Sequence, residues 1–280
     1  MRETTSPYRR ISAAATPPTT VARRACALIM IALALGALCL LPGCGQSTAA
    51  STSAYVSPYD WTGLEAKGDR LSYSENGEIR SDLGVDVSSH QGAIDWQAVA
   101  SDGIDFAIIR LGNRGYTEGS LYVDERFSQN IDGAATAGLE TGVYFFSQAV
   151  SEDEAREEAA LVLEQLAGRA LDLPIAYDHE PVSDPAGRAN HMTGAELAAC
   201  ARAFCERIEA AGYDTIVYGN KQDVARFGGD SLGDRPVWLA EYDAPQPTAQ
   251  FDFVMWQYTN GGVVAGISTS VDLNIRFLTD

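Results

Sequence analysis

The sequence predicts an α/β fold: a barrel with parallel strands through most of its wall and few helices in its last third. Three observations carry this. Short apolar runs suited to buried strands recur at 83–87, 104–110, 140–146, 173–180, 214–218, 236–241, 252–258 and 271–277. Helical stretches separate the early runs as far as residue 227, and such alternation implies parallel strands joined by right-handed crossovers. Beyond that point the strand runs follow one another almost directly. About 200 residues remain for the barrel, short of the ~250 that eight complete β/α units usually need. An irregular, TIM-like barrel reconciles that length with the pattern.

The elements can be justified in order. Arg23 and Arg24 precede an apolar run from Ala25 to Leu41, and the run ends in Leu41-Pro42-Gly43-Cys44. Basic residues, a short apolar stretch and a small residue before the cut describe a secretory signal. The run is almost long enough to span a bilayer, so an uncleaved transmembrane anchor is the competing reading. Its Leu-x-Gly-Cys ending resembles a bacterial lipobox, in which the cysteine is diacylated and becomes the new N-terminus. On that resemblance, residues 1–43 are a lipoprotein signal peptide and Cys44 is lipidated. The rest is then exported and lipid-anchored to the outer face of the bacterial cytoplasmic membrane.

Residues 44–58, rich in Ser, Thr and Ala, form a flexible tether. Residues 59–81 form a small N-terminal cap, with Asn76-Gly77 between short alternating segments as a hairpin signal. Residues 82–280 make the barrel. Phe127, Ile131 and Ala134 follow helical spacing. Ser151 with Glu154, and Thr193 with Glu196, have the capping-box spacing that opens a helix. Ala155, Ala159, Val162 and Leu166 continue the first of these as an apolar stripe.

Charge and cysteine content narrow the function. The chain carries a net charge of −18, and its leader takes five arginines and only one glutamate with it. Such a surface repels nucleic acid and gains nothing from anionic lipid. Cys26 and Cys39 lie in the leader, which leaves Cys200 and Cys205 beside Cys44. At about 1.5 Å of helical rise per residue, five positions separate Cys200 and Cys205 beyond easy bridging. With Leu197, Phe204 and Ile208 they read as small buried residues.

The informative strand is Leu173-Pro-Ile-Ala-Tyr-Asp178-His179-Glu180-Pro181. Side chains alternate faces along a strand, so Asp178 and Glu180 share a face and His179 takes the other. Barrel enzymes place catalytic groups at the C-terminal ends of strands. Repulsion between the two carboxyls favours leaving one of them protonated, which is what a general acid needs. Asp86 lies in a second strand-like stretch, an expensive place for an unpaired charge. Tyr144 lies on a third, and Trp256-Gln257-Tyr258 and Asp272 come near the end. Acidic and aromatic residues at the ends of several strands suggest a sugar site, with Trp256 and Gln257 among its contacts.

These islands, in this order, resemble the glycoside hydrolase family 25 lysozymes (muramidases) over roughly residues 81–280. Tyr144 through Gln148 is similar to the Tyr-Phe-Phe/Tyr-Ser-Gln strand of one subset. The resemblance implies five β/α units followed by strands with few helices. It implies cleavage of the β-1,4 bond between N-acetylmuramic acid and N-acetylglucosamine in peptidoglycan glycan strands. Carried onto matching positions, Glu180 would be the proton donor, Asp178 its carboxylate neighbour, and Asp86 and Asp272 the other pocket acids. Tyr144 and Tyr218 would line the cleft, while Arg110 is structural. Asn113, His179 and Glu241 depart from the family pattern.

Other chemistries fit less well. His90, His179 and His191 do not form a spaced ligand set, so neither metal nor cofactor is called for. The buried cysteines do not suit a peptidase. The alternative is a catalytically weak glycan-binding barrel at the cell surface, and retention of both Asp178 and Glu180 argues against it. Same-face strand positions are compatible with retention or inversion. The resemblance favours retention, with the substrate's own acetamido group a candidate nucleophile that Asp178 would orient. A monomer is expected.

Overall fold

The structure is a computed structural model that describes residues 54–278. The leader, the Leu-Pro-Gly-Cys44 site and most of the tether lie outside the described residues. Twelve strands run in chain order: β1 (Leu64–Lys67), β2 (Arg70–Glu75), β3 (Glu78–Ile79), β4 (Ser81–Val87), β5 (Phe106–Arg114), β6 (Leu121–Val123), β7 (Glu140–Phe146), β8 (Ile175–Asp178), β9 (Thr215–Asn220), β10 (Val237–Ala240), β11 (Met255–Gly262) and β12 (Val271–Phe277). The helices are α1 (Trp96–Ser101), α2 (Phe127–Thr136), α3 (Glu152–Leu166), α4 (Gly194–Glu209) and α5 (Lys221–Phe227).

Strands β4, β5, β7, β8, β9, β10, β11 and β12 close into a barrel, because β4 pairs with β12 on one side and β5 on the other. From β4 through β11 the wall is parallel, and only β12 runs against its neighbours. Helices follow each β/α unit up to α5, after which β10, β11 and β12 succeed one another without an α-helix. This is the irregular α/β barrel that the strand spacing predicted.

Two layers of core follow from strand alternation. Phe106, Ile108, Ala176, Ile216, Tyr218, Trp238 and Met255 fill the barrel interior. Val85, Ile109, Phe145, Tyr177, Val217 and Leu239 point outward and are covered by the helices. Strands buried on both faces read as continuous apolar runs, which is why they were visible in the sequence. Gly84 marks a tight point of the barrel interior, since a Cβ there would come within 2.2 Å of the Phe106 ring.

Local signals act as their chemistry dictates. Ser151 caps α3 by accepting from Glu154 N, and Thr193 with Glu196 forms a reciprocal box at α4. Ala155, Ala159, Val162 and Leu166 are all buried on α3. Cys200 and Cys205 are free and buried on α4, and burial pushes both thiols up to about 12. Asn76 and Gly77 take positive φ in the β2–β3 turn, as a tight hairpin requires. Two details differ from expectation. Strand β5 runs on to Arg114 and pairs with β6, a three-residue strand too short to leave a periodic signal. Strand β8 is shorter than its apolar run, because Pro174 and Pro181 bracket it.

The β1–β2–β3 sheet packs at the end of the barrel where the parallel strands begin. There Tyr59, Trp61 and Tyr73 meet Phe253 and Phe277, with the Tyr59 and Phe277 ring centroids 4.2 Å apart. The Tyr59 hydroxyl donates to Phe253 O at 2.7 Å. Phe277 is buried in this cluster. Phe277→Ala should therefore lower unfolding free energy by about 3–5 kcal/mol. Denaturant titration measures this, and a loss below 1 kcal/mol would show that the cluster collapses around the gap.

Candidate active site

The opposite end of the barrel, where the parallel strands finish, holds a pocket of about 140 Å³. Asp86, Tyr144, Asp178, Glu180, Tyr218, Trp238, Tyr242, Gln257 and Asp272 line it. A larger groove of about 640 Å³ lies at the other end, around Leu232, Arg235, Phe251 and Phe253, away from the carboxyl cluster. The chemistry is at the small pocket.

Its floor is a connected hydrogen-bond network. Asp86 Oδ2 accepts from Gln257 Nε2 at 2.7 Å and from Asn274 Nδ2 at 2.8 Å. Gln257 Oε1 in turn accepts from the hydroxyls of Tyr218 (2.8 Å) and Tyr242 (2.6 Å). Asn274 Oδ1 accepts from Trp238 Nε1 at 2.8 Å, and the Trp238 ring meets Tyr218 edge-on at 4.7 Å. Polar tips fixed in this way hold three aromatic rings in set orientations around the opening.

The strand bearing the acid pair is held by its neighbour. Ser147 N donates to Asp178 O at 2.7 Å, and Gln148 Nε2 donates to Glu180 O at 2.9 Å. His179 points away from the pocket into buried space, with Nδ1 3.1 Å from Ser147 O. Burial lowers its pKa to about 4, so it is neutral and Nδ1 carries the proton in this bond. Three contacts thus clamp residues 178–180.

Burial is the largest influence on every pocket acid. It pushes Glu180 up to about 7, with further push from the charges of Asp223 and Asp86. It raises Asp178 well above the usual carboxylate range, with Glu180, Asp86 and Asp223 adding to the shift and Arg110 opposing it. The expectation that Asp178 is ionised beside a protonated Glu180 is therefore corrected. Asp178 is the more enclosed of the two, and its Oδ1 is buried without a hydrogen-bond partner among the described residues. Burial thus favours the neutral form of both carboxyls.

Asp86 and Asp272 face each other across the antiparallel β4–β12 pair. Both are raised by burial, Asp272 to about 8 with the Asp86 charge as second cause. The two amide donors on Asp86 favour its ionised form, so the shared proton rests on Asp272. Tyr144 and Tyr218 are raised by burial and then by nearby carboxylates, which keeps both hydroxyls neutral.

The structure brings Asp86, Asp178, Glu180, Asp272, Tyr144, Tyr218 and Gln257 into one pocket. Trp256 is elsewhere. It is fully buried on the outer face of β11, with Nε1 donating to Glu241 O at 2.8 Å. Adjacent strand residues face opposite ways, so Trp256 and Gln257 cannot both line one pocket. The aromatic contacts that sequence reading missed are Trp238 and Tyr242, and their spacing of four from a buried strand was the available signal. Asp223, in the first turn of α5, was also missed. It is buried, with Oδ2 unpartnered among the described residues and Oδ1 3.7 Å from Arg226 Nη1, and it acts on both Asp178 and Glu180. Its local sequence looks like an ordinary helix start.

The remaining positions have structural partners. Arg110 pairs with Asp124 at 2.7 Å and donates to Ser89 Oγ at 3.1 Å. Glu241 binds Lys221 at 2.6 Å and also holds Thr248, which fastens the β10–β11 connection to α5.

The family model for glycosyl hydrolases family 25 matches residues 85–267. The autolytic lysozyme of Clostridium acetobutylicum is 30% identical over 191 residues, covering 68% of this chain and 54% of the relative. Lysozyme M1 of Streptomyces globisporus is 30% identical over 202 residues, covering 68% of this chain and 66% of the relative. The chain thus spans about half the length of the first of these relatives. Among solved structures, the bacterial lysozyme from Streptomyces coelicolor superimposes with a TM-score of 0.58 at 27% identity, covering 71% of this chain and 93% of that one.

The raised acids have a consequence for stability. Folded Glu180 holds its proton to about 7, whereas an unburied glutamate releases it near 4.5. The folded state therefore binds more protons between these values, and stability falls as pH rises from 4.5 to 7. Glu180→Gln removes that loss. The variant should melt higher than wild type at pH 8, by at least the ~2 °C that about 1 kcal/mol gives in a domain of this size. At pH 4 the two should coincide. Calorimetry at both pH values checks it, and an equal shift at each would show that the gain comes from packing.

Proposed function

The chain belongs to glycosyl hydrolases family 25, and from that premise we propose that it is a muramidase. It hydrolyses the β-1,4 bond between N-acetylmuramic acid and N-acetylglucosamine in peptidoglycan. The observation that carries this reading is the pairing of a protonated Glu180 with an open acceptor on Asp178 in one buried pocket. The names of the two curated relatives, both lysozymes, support it.

Glu180 is the general acid. Its pKa of about 7 leaves a proton available at neutral pH for the leaving glycosidic oxygen. As that oxygen takes the proton, it departs with the electrons of its bond to C1. The substrate's acetamido oxygen attacks C1 from the other face, and its N–H donates to Asp178 Oδ1. A donor at that atom satisfies a buried polar group and draws Asp178 toward its ionised form, its proton passing to solvent as the sugar binds, and the carboxylate offsets positive charge on the acetamido group. Water then opens the ring intermediate, returning a proton to Glu180, with retention at C1. The Asp86–Asp272 pair adds one buried negative charge beneath the developing cation. Trp238 and Tyr242 offer ring faces to the sugar, Tyr144 offers a hydroxyl donor, and the Tyr218 oxygen, its proton given to Gln257, offers an acceptor.

We further propose that the protein is exported as a lipoprotein anchored through Cys44. The motif Leu41-Pro42-Gly43-Cys44 behind an apolar run supports this.

Two experiments test these readings. Wild-type protein should clear purified cell walls in a zymogram, and Glu180→Gln should cut that rate by about 10²–10⁴-fold with binding retained. The same variant should lose less on aryl glycosides with good leaving groups, whereas Asp178→Asn should impair both substrate types. The reverse pattern would exchange their roles, and full activity of Glu180→Gln on intact wall would exclude this mechanism. For anchoring, Cys44→Ala should release the protein from membranes or leave an uncleaved precursor. Unchanged membrane retention with Met1 still at the N-terminus would indicate a transmembrane anchor instead.

A further inference from the structure

A pocket of about 140 Å³ is smaller than the ~300–1,000 Å³ of ordinary ligand sites, so most of a polymeric substrate must lie outside it. The sheet supplies a path. Strand β5 continues past the barrel rim to Arg114 and adds β6 as one further strand. The register runs straight across: Asp178 pairs with Phe146, Phe146 with Asn113, and Asn113 with Tyr122. Three strand spacings of ~4.8 Å carry this row about 14 Å from the acid pair.

The side chains of the row share the pocket's face. Phe145 and Leu111 belong to the outer core, so Phe146 faces inward. A bulge between Arg110 and Gly112 gives β5 one extra residue, and without it Asn113 would point at the helices. With it, Arg114 turns outward to Glu158 of α3 at 2.8 Å, and Asn113 turns toward the pocket side. Leu121 packs against the outer core, which puts its neighbour Tyr122 on the pocket side too. Tyr122 is 48% exposed, and its hydroxyl donates to Glu118 Oε1 at 3.0 Å, which fixes the ring.

We propose that Phe146, Asn113 and Tyr122 form a saccharide-binding strip that carries the glycan strand outward from the pocket, with Tyr122 as its distal stacking platform. Ring faces match the C–H faces of pyranose rings, and the amide between them matches hydroxyl and acetamido groups. The occupant is the uncleaved continuation of the chain cut at Glu180, so the strip rests on the muramidase reading. Its continuity with the pocket distinguishes it from a scattered exposed tyrosine.

The test compares short (tetrasaccharide) with long uncross-linked peptidoglycan glycan chains, freed of peptide. Tyr122→Ala should raise KM for long chains about threefold to tenfold, the size of one aromatic stacking contact, and lower the long-to-short ratio of kcat/KM. Tyr122→Phe, which keeps the ring and loses the Glu118 bond, should keep the wild-type ratio. A ratio unchanged in Tyr122→Ala overturns the strip, as does an equal loss in Tyr122→Phe. Binding is measured separately, as the Kd for long chains in a Glu180→Gln background with and without Tyr122→Ala. A weakening of the same size supports the strip even if wild-type protein cleaves nothing, a result that would refute the muramidase reading alone. An unchanged Kd refutes the strip.

Discussion

Asp86 accepts amide hydrogens from Gln257 on β11 and Asn274 on β12, while its own strand pairs with β12 on one side and β5 on the other. Barrel closure and the pocket floor therefore share a carboxylate. A buried carboxylate without partners is strongly unfavourable, and these amides make this one tolerable. Both amides spend their remaining oxygen on ring residues, so the orientation of Tyr218, Trp238 and Tyr242 also descends from Asp86. Removing it would leave two buried donors unpaired at the closing edge. The rim would loosen with it.

Five acids gather at this end of the barrel: Asp86, Asp178, Glu180, Asp223 and Asp272. Each is raised by burial before any neighbour is considered. A site built for stability alone would not have this composition. Arg110 is near enough to oppose the shift on Asp178, but its guanidinium is committed to Asp124 and Ser89. The positive charge that would relax the cluster is thus held to one side. Proton retention near neutral pH is the direct result, and it is what acid catalysis requires.

Much of this was legible in the sequence, and the failures have physical causes. Buried parallel strands are continuous apolar runs, so their number and order could be read directly. Asp178 and Glu180 were assigned a common face by alternation alone. The same rule, applied at Gln257, would have excluded Trp256, whereas Trp238 follows only from the β10–β11 register. Asp223 left no signal, because a carboxylate at a helix start is ordinary and only tertiary packing buries it. Alternation also fails through the β5 bulge, where one inserted residue reverses the facing of everything after it. The protonation pattern was missed for a related reason. Charge repulsion can be inferred from spacing, but depth of burial cannot, and burial dominates.

The antiparallel seam has a further meaning for the history of each molecule. Strands β4 and β12 come from opposite ends of the described chain, and Asp86 and Asn274 are 188 positions apart. Contacts of such separation form late, because the entropy of closing so long a loop must be met before they contribute. Every β/α unit from β4 to α5 can be in place while the barrel is still an open sheet, with Asp86 facing water and no floor beneath the acid pair. The complete pocket thus comes into being only when β12 docks. Assembly of the site is coupled to the docking of β12, and a copy in which that strand is still unpaired holds the acids without their floor.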